Sequence, residues 1–127
     1  MKKVYYNKLI RDRIPEKIHS IGSECETYTL SKIEFEKELM KKVGEEASGL
    51  LNAKNKKEII EELADVMAVV EEILKVKKIT KTQLIEQQKK NFEKKGGFAK
   101  RLFLVWSSDD KYKTNEKTGK VKSIKNK

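Results

Sequence analysis

A chain of 127 residues with 37% hydrophobic content is enough for one modest core and not for two. Charged residues make up 39%, so much of every helix must face water or a site, and no charge-free apolar run is long enough to span a bilayer. The single cysteine, Cys25, and single histidine, His19, exclude an intramolecular disulfide and a Cys/His zinc constellation, leaving hard, oxygen-bound cations as the metals to consider. No apolar signal region follows Met1-Lys2-Lys3, so the expected setting is cytoplasmic, without a membrane partner.

Pro15 suits the first position of a short helix, because its missing N–H would be unpaired there anyway; that helix should end near Ile21-Gly22. Residues 24–30, ECETYTL, are rich in β-formers and predict an extended segment. Three helix starts then share one signature, an N-cap residue followed three positions later by Glu or Gln. Ser31 with Glu34 opens a helix to about Leu51, and Asn55 with Glu58 opens another to about Val76. Thr80 with Gln83 opens a third that should stop at Gly96-Gly97. A second extended run, LFLVW at 102–106, is a candidate partner for the first. From 107 to 127 the chain is polar and lysine-rich with no periodic apolar face, which divides it into a domain over 1–106 and a basic tail.

Charge is distributed unevenly along these elements. Residues 31–76 hold 8 Lys against 11 Asp/Glu, a net −3, in a chain whose net charge is +10. Carboxylates held against a basic background suit a site where a divalent cation meets a polyphosphate. The two acidic helices are joined by only four residues, 52–55, so they should be antiparallel neighbours. Their apolar stripes are Phe35, Leu39, Val43, Ala47 and Leu50 on one, and Ile59, Ile60, Leu63, Val66, Met67, Val70, Ile73 and Leu74 on the other. The second stripe is too wide for one helix to cover. The expected fold is therefore all-α, an antiparallel helical bundle completed by oligomerisation to a homodimer or homotetramer, with one or two short peripheral strands.

On a helix, residues three or four apart share a face. Glu62 and Asp65 therefore point together, with Glu58 and Glu61 close by, and Glu45 and Glu46 lie on the helix before, with Glu38 two turns earlier. Spacing alone leaves two readings open: a cation site, or a solvated face of ordinary surface charge that includes Glu38 and Lys42.

The stretches KVGEEASGLL (42–51) and EELADV (61–66) resemble the Glu-Glu-x-x-Glu and Glu-x-x-Asp motifs of the all-α nucleoside triphosphate pyrophosphatases, the MazG-like superfamily. YNKLIRDRIPEKI (6–18) and KKGGFAKRLFL (94–104) are similar to its phosphoribosyl-ATP pyrophosphohydrolase-like branch, and the likeness covers about residues 5–104 in family order. The resemblance implies Mg²⁺, or Mn²⁺ in its place, held by Glu46, Glu62 and Asp65, with Glu45 and Glu46 as catalytic carboxylates. It implies a nucleotide substrate whose phosphates are bound by Lys8, Arg11, Arg13, Lys95, Lys100 and Arg101. One departure stands out: the third glutamate of the first motif falls on Gly49. Restoring a carboxylate there, by Gly49→Glu, is expected to tighten the metal and raise the rate.

The expected activity is Mg²⁺-dependent cleavage of a nucleoside triphosphate, or a phosphoribosyl-ATP-like compound, between the α and β phosphates. The alternatives are a non-catalytic nucleotide- or partner-binding member of the same fold, suggested by Gly49, and a basic nucleic-acid-binding module, suggested by pI ≈ 9.6. The aromatics are not interleaved with the bases, which disfavours nucleic acid. Phe98, Phe103 and Trp106 read as core or interface residues, His19 as a surface residue, and Cys25 as a residue with no catalytic role.

Overall fold

The structure, a computed structural model, describes residues 2–108. It is all-α, with four helices: α1 (Ile14–Ser20), α2 (Lys32–Ser48), α3 (Lys56–Lys77) and α4 (Lys81–Lys95), and a 3₁₀ turn, Gly49–Asn52, between α2 and α3. The chain forms two compact units, Met1–Gln87 and Gln88–Lys127. All but the first two residues of the expected tail fall outside the described residues.

Local hydrogen bonds explain where the helices begin. At α2 the Ser31 hydroxyl accepts from the Glu34 N–H at 3.2 Å while the Glu34 carboxylate accepts from the Ser31 N–H at 3.3 Å. Thr80 and Gln83 make the same reciprocal pair at 3.0 and 2.8 Å. At α3 the Asn55 side chain accepts from the Glu58 N–H at 2.9 Å, and Glu58 reaches back to the Lys54 N–H at 2.8 Å. Each pair satisfies donors that a helix start leaves open. The other end of α3 is closed by Lys78 in the left-handed region (φ 57), with the Ile79 N–H donating to the Leu74 carbonyl at 2.8 Å.

Helices α2 and α3 pack as an antiparallel hairpin, tied at its open end by Lys77 of α3 donating to Glu36 of α2 at 2.6 Å. Leu39 (4% exposed) and Val69 (9%) are the most buried apolar side chains among the described residues. Val69 lies outside the apolar stripe expected on α3. It falls on the line Glu62-Asp65-Val69-Val76, which faces α2. The centre of the wider stripe points elsewhere, leaving Ile60, Leu63 and Met67 at 56%, 47% and 52% exposure.

The expected peripheral strands do not form: neither 24–30 nor 102–106 is paired, and the described residues contain no strand. Each run is short and flanked by no third strand, and a lone two-stranded ribbon is marginal in water whatever its β-propensity. Phe98, Phe103 and Trp106 are exposed rather than core residues. His19 is exposed as expected, but its Nε2 lies 3.9 Å from the Cys25 sulfur, a neighbour that a six-residue separation across the Gly22 turn concealed.

Candidate metal centre

Three carboxylates from two helices converge near the closed end of the hairpin. One oxygen from each of Glu46, Glu62 and Asp65 lies within 4.8 Å of the others, and all three residues are half-buried. Glu62 and Asp65 come from one face of α3, three residues apart, and Glu46 from the last turn of α2 opposite them. The acidic cluster is narrower than the sequence suggests. Glu58 is taken up by the start of α3, Glu61 is exposed, and Glu38 pairs with Lys41 at 3.1 Å.

Lys42 organises the flank of this centre rather than pairing with Glu38 as surface charge, one of the two readings that spacing leaves open. Its ammonium donates to Glu45 at 2.5 Å and to the Leu9 carbonyl at 2.8 Å, and stands 3.8 Å from Glu46. The signal was present in sequence, because Lys42 precedes Glu45 and Glu46 by three and four residues. What local spacing cannot show is the tie to Leu9, which brings the N-terminal segment onto α2. That segment sets Lys8 at 3.6 Å from Glu45 and Arg11 at 3.4 Å from Asp65. A groove of about 320 Å³ runs beside it, lined by Tyr6, Lys8, Leu9, Lys42 and Glu45 among others.

The two adjacent glutamates of α2 titrate in opposite directions. The Lys42 hydrogen bond holds the Glu45 carboxyl below its ordinary value, against a smaller penalty from burial and with further help from Lys8. Glu46 is pushed up, first by burial and then by the carboxylates of Asp65, Glu45 and Glu62, with Lys42 opposing. Glu62 has no ion-pair partner among the described residues. The triad therefore carries more negative charge than its bases offset.

A small hard dication fits this donor set. Mg²⁺ takes oxygen ligands at ~2.0–2.1 Å, so ligand oxygens around one ion lie no more than about 4.2 Å apart. Small rotations of the Glu46 and Glu62 side chains would bring the three oxygens within that reach.

The remaining sequence candidates are placed as follows. Arg13 is the N-cap residue of α1 and is exposed. Lys95, Lys100 and Arg101 belong to the second unit and are exposed. Arg101 adopts φ 55, with its N–H donating to the Phe98 carbonyl at 3.0 Å. Gly96 (φ 80) ends α4 in the left-handed region, and the Phe92 ring lies 2.9 Å from where a Cβ on Gly97 would sit. The glycine pair thus serves as a helix stop and a ring contact.

The raised Glu46 has a stability consequence. Its folded-state pKa exceeds the ordinary 4.5, so its favourable contribution is complete below that pH and is lost as pH rises through the folded value. Glu46→Gln is expected to raise the melting midpoint of the metal-free protein at pH 7 by roughly 2–4 °C, with the gain shrinking as pH falls below the carboxylate range. Melts of both forms in chelator across that range check it; a lowered midpoint at neutral pH would count against the crowded-carboxylate account.

No family model matches this chain, and no curated protein or solved structure matches it significantly.

Proposed function

We propose that the protein is a Mg²⁺-dependent pyrophosphohydrolase acting on a nucleoside triphosphate or a phosphoribosyl-ATP-like compound. The observation that carries this reading is the meeting of Glu46, Glu62 and Asp65 across two helices, with Lys8 and Arg11 at its edge. The motif resemblance to the MazG-like pyrophosphatases supports it independently, and Mn²⁺ suits the same oxygen donors.

In this reading Glu46, Glu62 and Asp65 hold the metal. When bound, Mg²⁺ would neutralise phosphate oxygens and orient water. The bases have a second task. Lys8 and Arg11 are tied to carboxylates by half-exposed ion pairs, which are worth no more than about 1 kcal/mol each and open readily. An incoming polyphosphate competes for both cations, Arg11 offering a bidentate fork and Lys8 a point charge. Glu45 keeps its Lys42 hydrogen bond, the main cause of its lowered value, so the loss of Lys8 relaxes it only slightly toward the ordinary value. Arg13, Lys95, Lys100 and Arg101 remain proposed phosphate contacts on the motif resemblance alone.

The assembly belongs to the same proposal. The exposed Ile60-Leu63-Met67 face of α3 is apolar, continuous over two turns and free of charge, and a second copy of the chain covers it most simply by closing a four-helix bundle.

The test is pyrophosphate release from a panel of canonical and damaged nucleoside triphosphates and phosphoribosyl-ATP, with and without Mg²⁺. Turnover of at least one compound, abolished by chelation, is expected. Nucleotide binding without turnover would replace this reading with the non-catalytic one.

A further inference from the structure

Gly49 ends α2 with φ −61 and ψ −27, ordinary right-handed values that any residue adopts. Nothing in its backbone calls for glycine. The reason lies across the hairpin. A methyl group on Gly49 would stand 2.6 Å from Cδ of Glu62 and 3.0 Å from its Oε1, with Oε2 nearer still, against a normal separation of about 3.5 Å. The Glu62 carboxylate occupies the place of the missing side chain.

We infer that Gly49 is a positioning residue: its bare Cα is the seat that holds the Glu62 carboxylate beside Glu46 and Asp65. The inference rests on the metal reading above for its functional meaning, though not for its geometry. It reverses the expectation that Gly49→Glu repairs the centre. Every side chain other than glycine's begins with the same Cβ, so a carboxylate added at 49 arrives by evicting the one at 62. The departure from the Glu-Glu-x-x-Glu pattern is then a different way of building the site, with Glu62 moved into the space a third α2 side chain would fill. Glu62 is the far end of a flexible chain and can retreat, so the fold tolerates the change while the ligand geometry does not.

A double-mutant cycle on the full chain separates this from a plain helix effect. In chelator, with Glu62→Ala as background, Gly49→Ala is expected to raise the melting midpoint by roughly 4 °C, because alanine suits this backbone better than glycine. With Glu62 present the gain should vanish or change sign. By calorimetric titration with MgCl₂, both Gly49→Ala and Gly49→Glu are expected to bind Mg²⁺ about tenfold or more weakly than wild type. Equal stabilisation in both backgrounds, or undiminished Mg²⁺ affinity in Gly49→Ala, overturns the inference. A wild type that binds no Mg²⁺ would instead sink the pyrophosphohydrolase reading, and the metal-free cycle alone would then decide the role of Gly49. Mg²⁺-dependent turnover with an additive cycle would keep the activity and remove the seat.

Discussion

Replacing Glu62 with Gln, or Asp65 with Asn, is expected to weaken Mg²⁺ binding and pyrophosphate release by about a hundredfold or more while leaving the fold intact. Partners that merely orient a metal ligand already cost 10–100-fold when removed, so a ligand itself should cost at least as much. Both residues are half-buried and sit on one face of α3 opposite Glu46. Each substitution nearly conserves volume, removes one negative charge from the crowded triad, and so has no reason to destabilise the metal-free chain. The two variants are not equivalent. Asp65 also accepts from Arg11 in an exposed ion pair, which Asn would reduce to a neutral hydrogen bond at little cost, whereas Glu62 has no ion-pair partner among the described residues. Titration with Mg²⁺ and melting in chelator, run side by side, distinguish loss of a ligand from loss of structure. Wild-type Mg²⁺ affinity in either variant would remove that residue from the site.

Leu63→Asp or Met67→Asp is expected to convert the proposed two-copy bundle to monomers and lower its melting midpoint. Both side chains are about half exposed on the face of α3 turned away from α2. Within one copy of the first unit that face has little to cover it, and the hairpin buries Leu39 and Val69 almost alone. A core that small leaves the unit marginal, so covering the outer face should supply much of its stability. Burying a carboxylate there without a partner costs several kcal/mol. Light scattering with sedimentation at micromolar concentration is the measurement. A wild type that is monomeric and well folded would refute the bundle, and these substitutions would then act only as ordinary surface changes.

What the residues disclosed, and what they hid, divides along sequence separation. The starts at Ser31, Asn55 and Thr80 were legible because each cap closes over three residues. The shared face of Glu62 and Asp65 was legible for the same reason, whereas spacing left Glu46 among Glu38, Glu45, Glu58 and Glu61, and only the motif resemblance singled it out. The extended runs at 24–30 and 102–106 misled, since β-propensity describes a fit to neighbouring strands and none is present among the described residues. Val69 was missed because it shares its helix line with the acids Glu62 and Asp65, so apolar periodicity favours the wider stripe beside it. The N-terminal segment was the least legible part. Its tie to α2 spans 33 residues, from Leu9 to Lys42, and no local pattern encodes it.

The cap pairs also say something about time. Helix nucleation is costly because several backbone angles must be fixed for the first hydrogen bond. Here α2 and α3 carry side-chain bonds that reward that first turn before any tertiary contact exists. A short connection then lets them collide early, and pairing at low sequence separation belongs to the microsecond-to-millisecond range. Association of two copies depends on concentration and is slower. Refolding should therefore show a fast phase insensitive to protein concentration and, with the proposed two-copy bundle, a slower one that accelerates as the protein is concentrated.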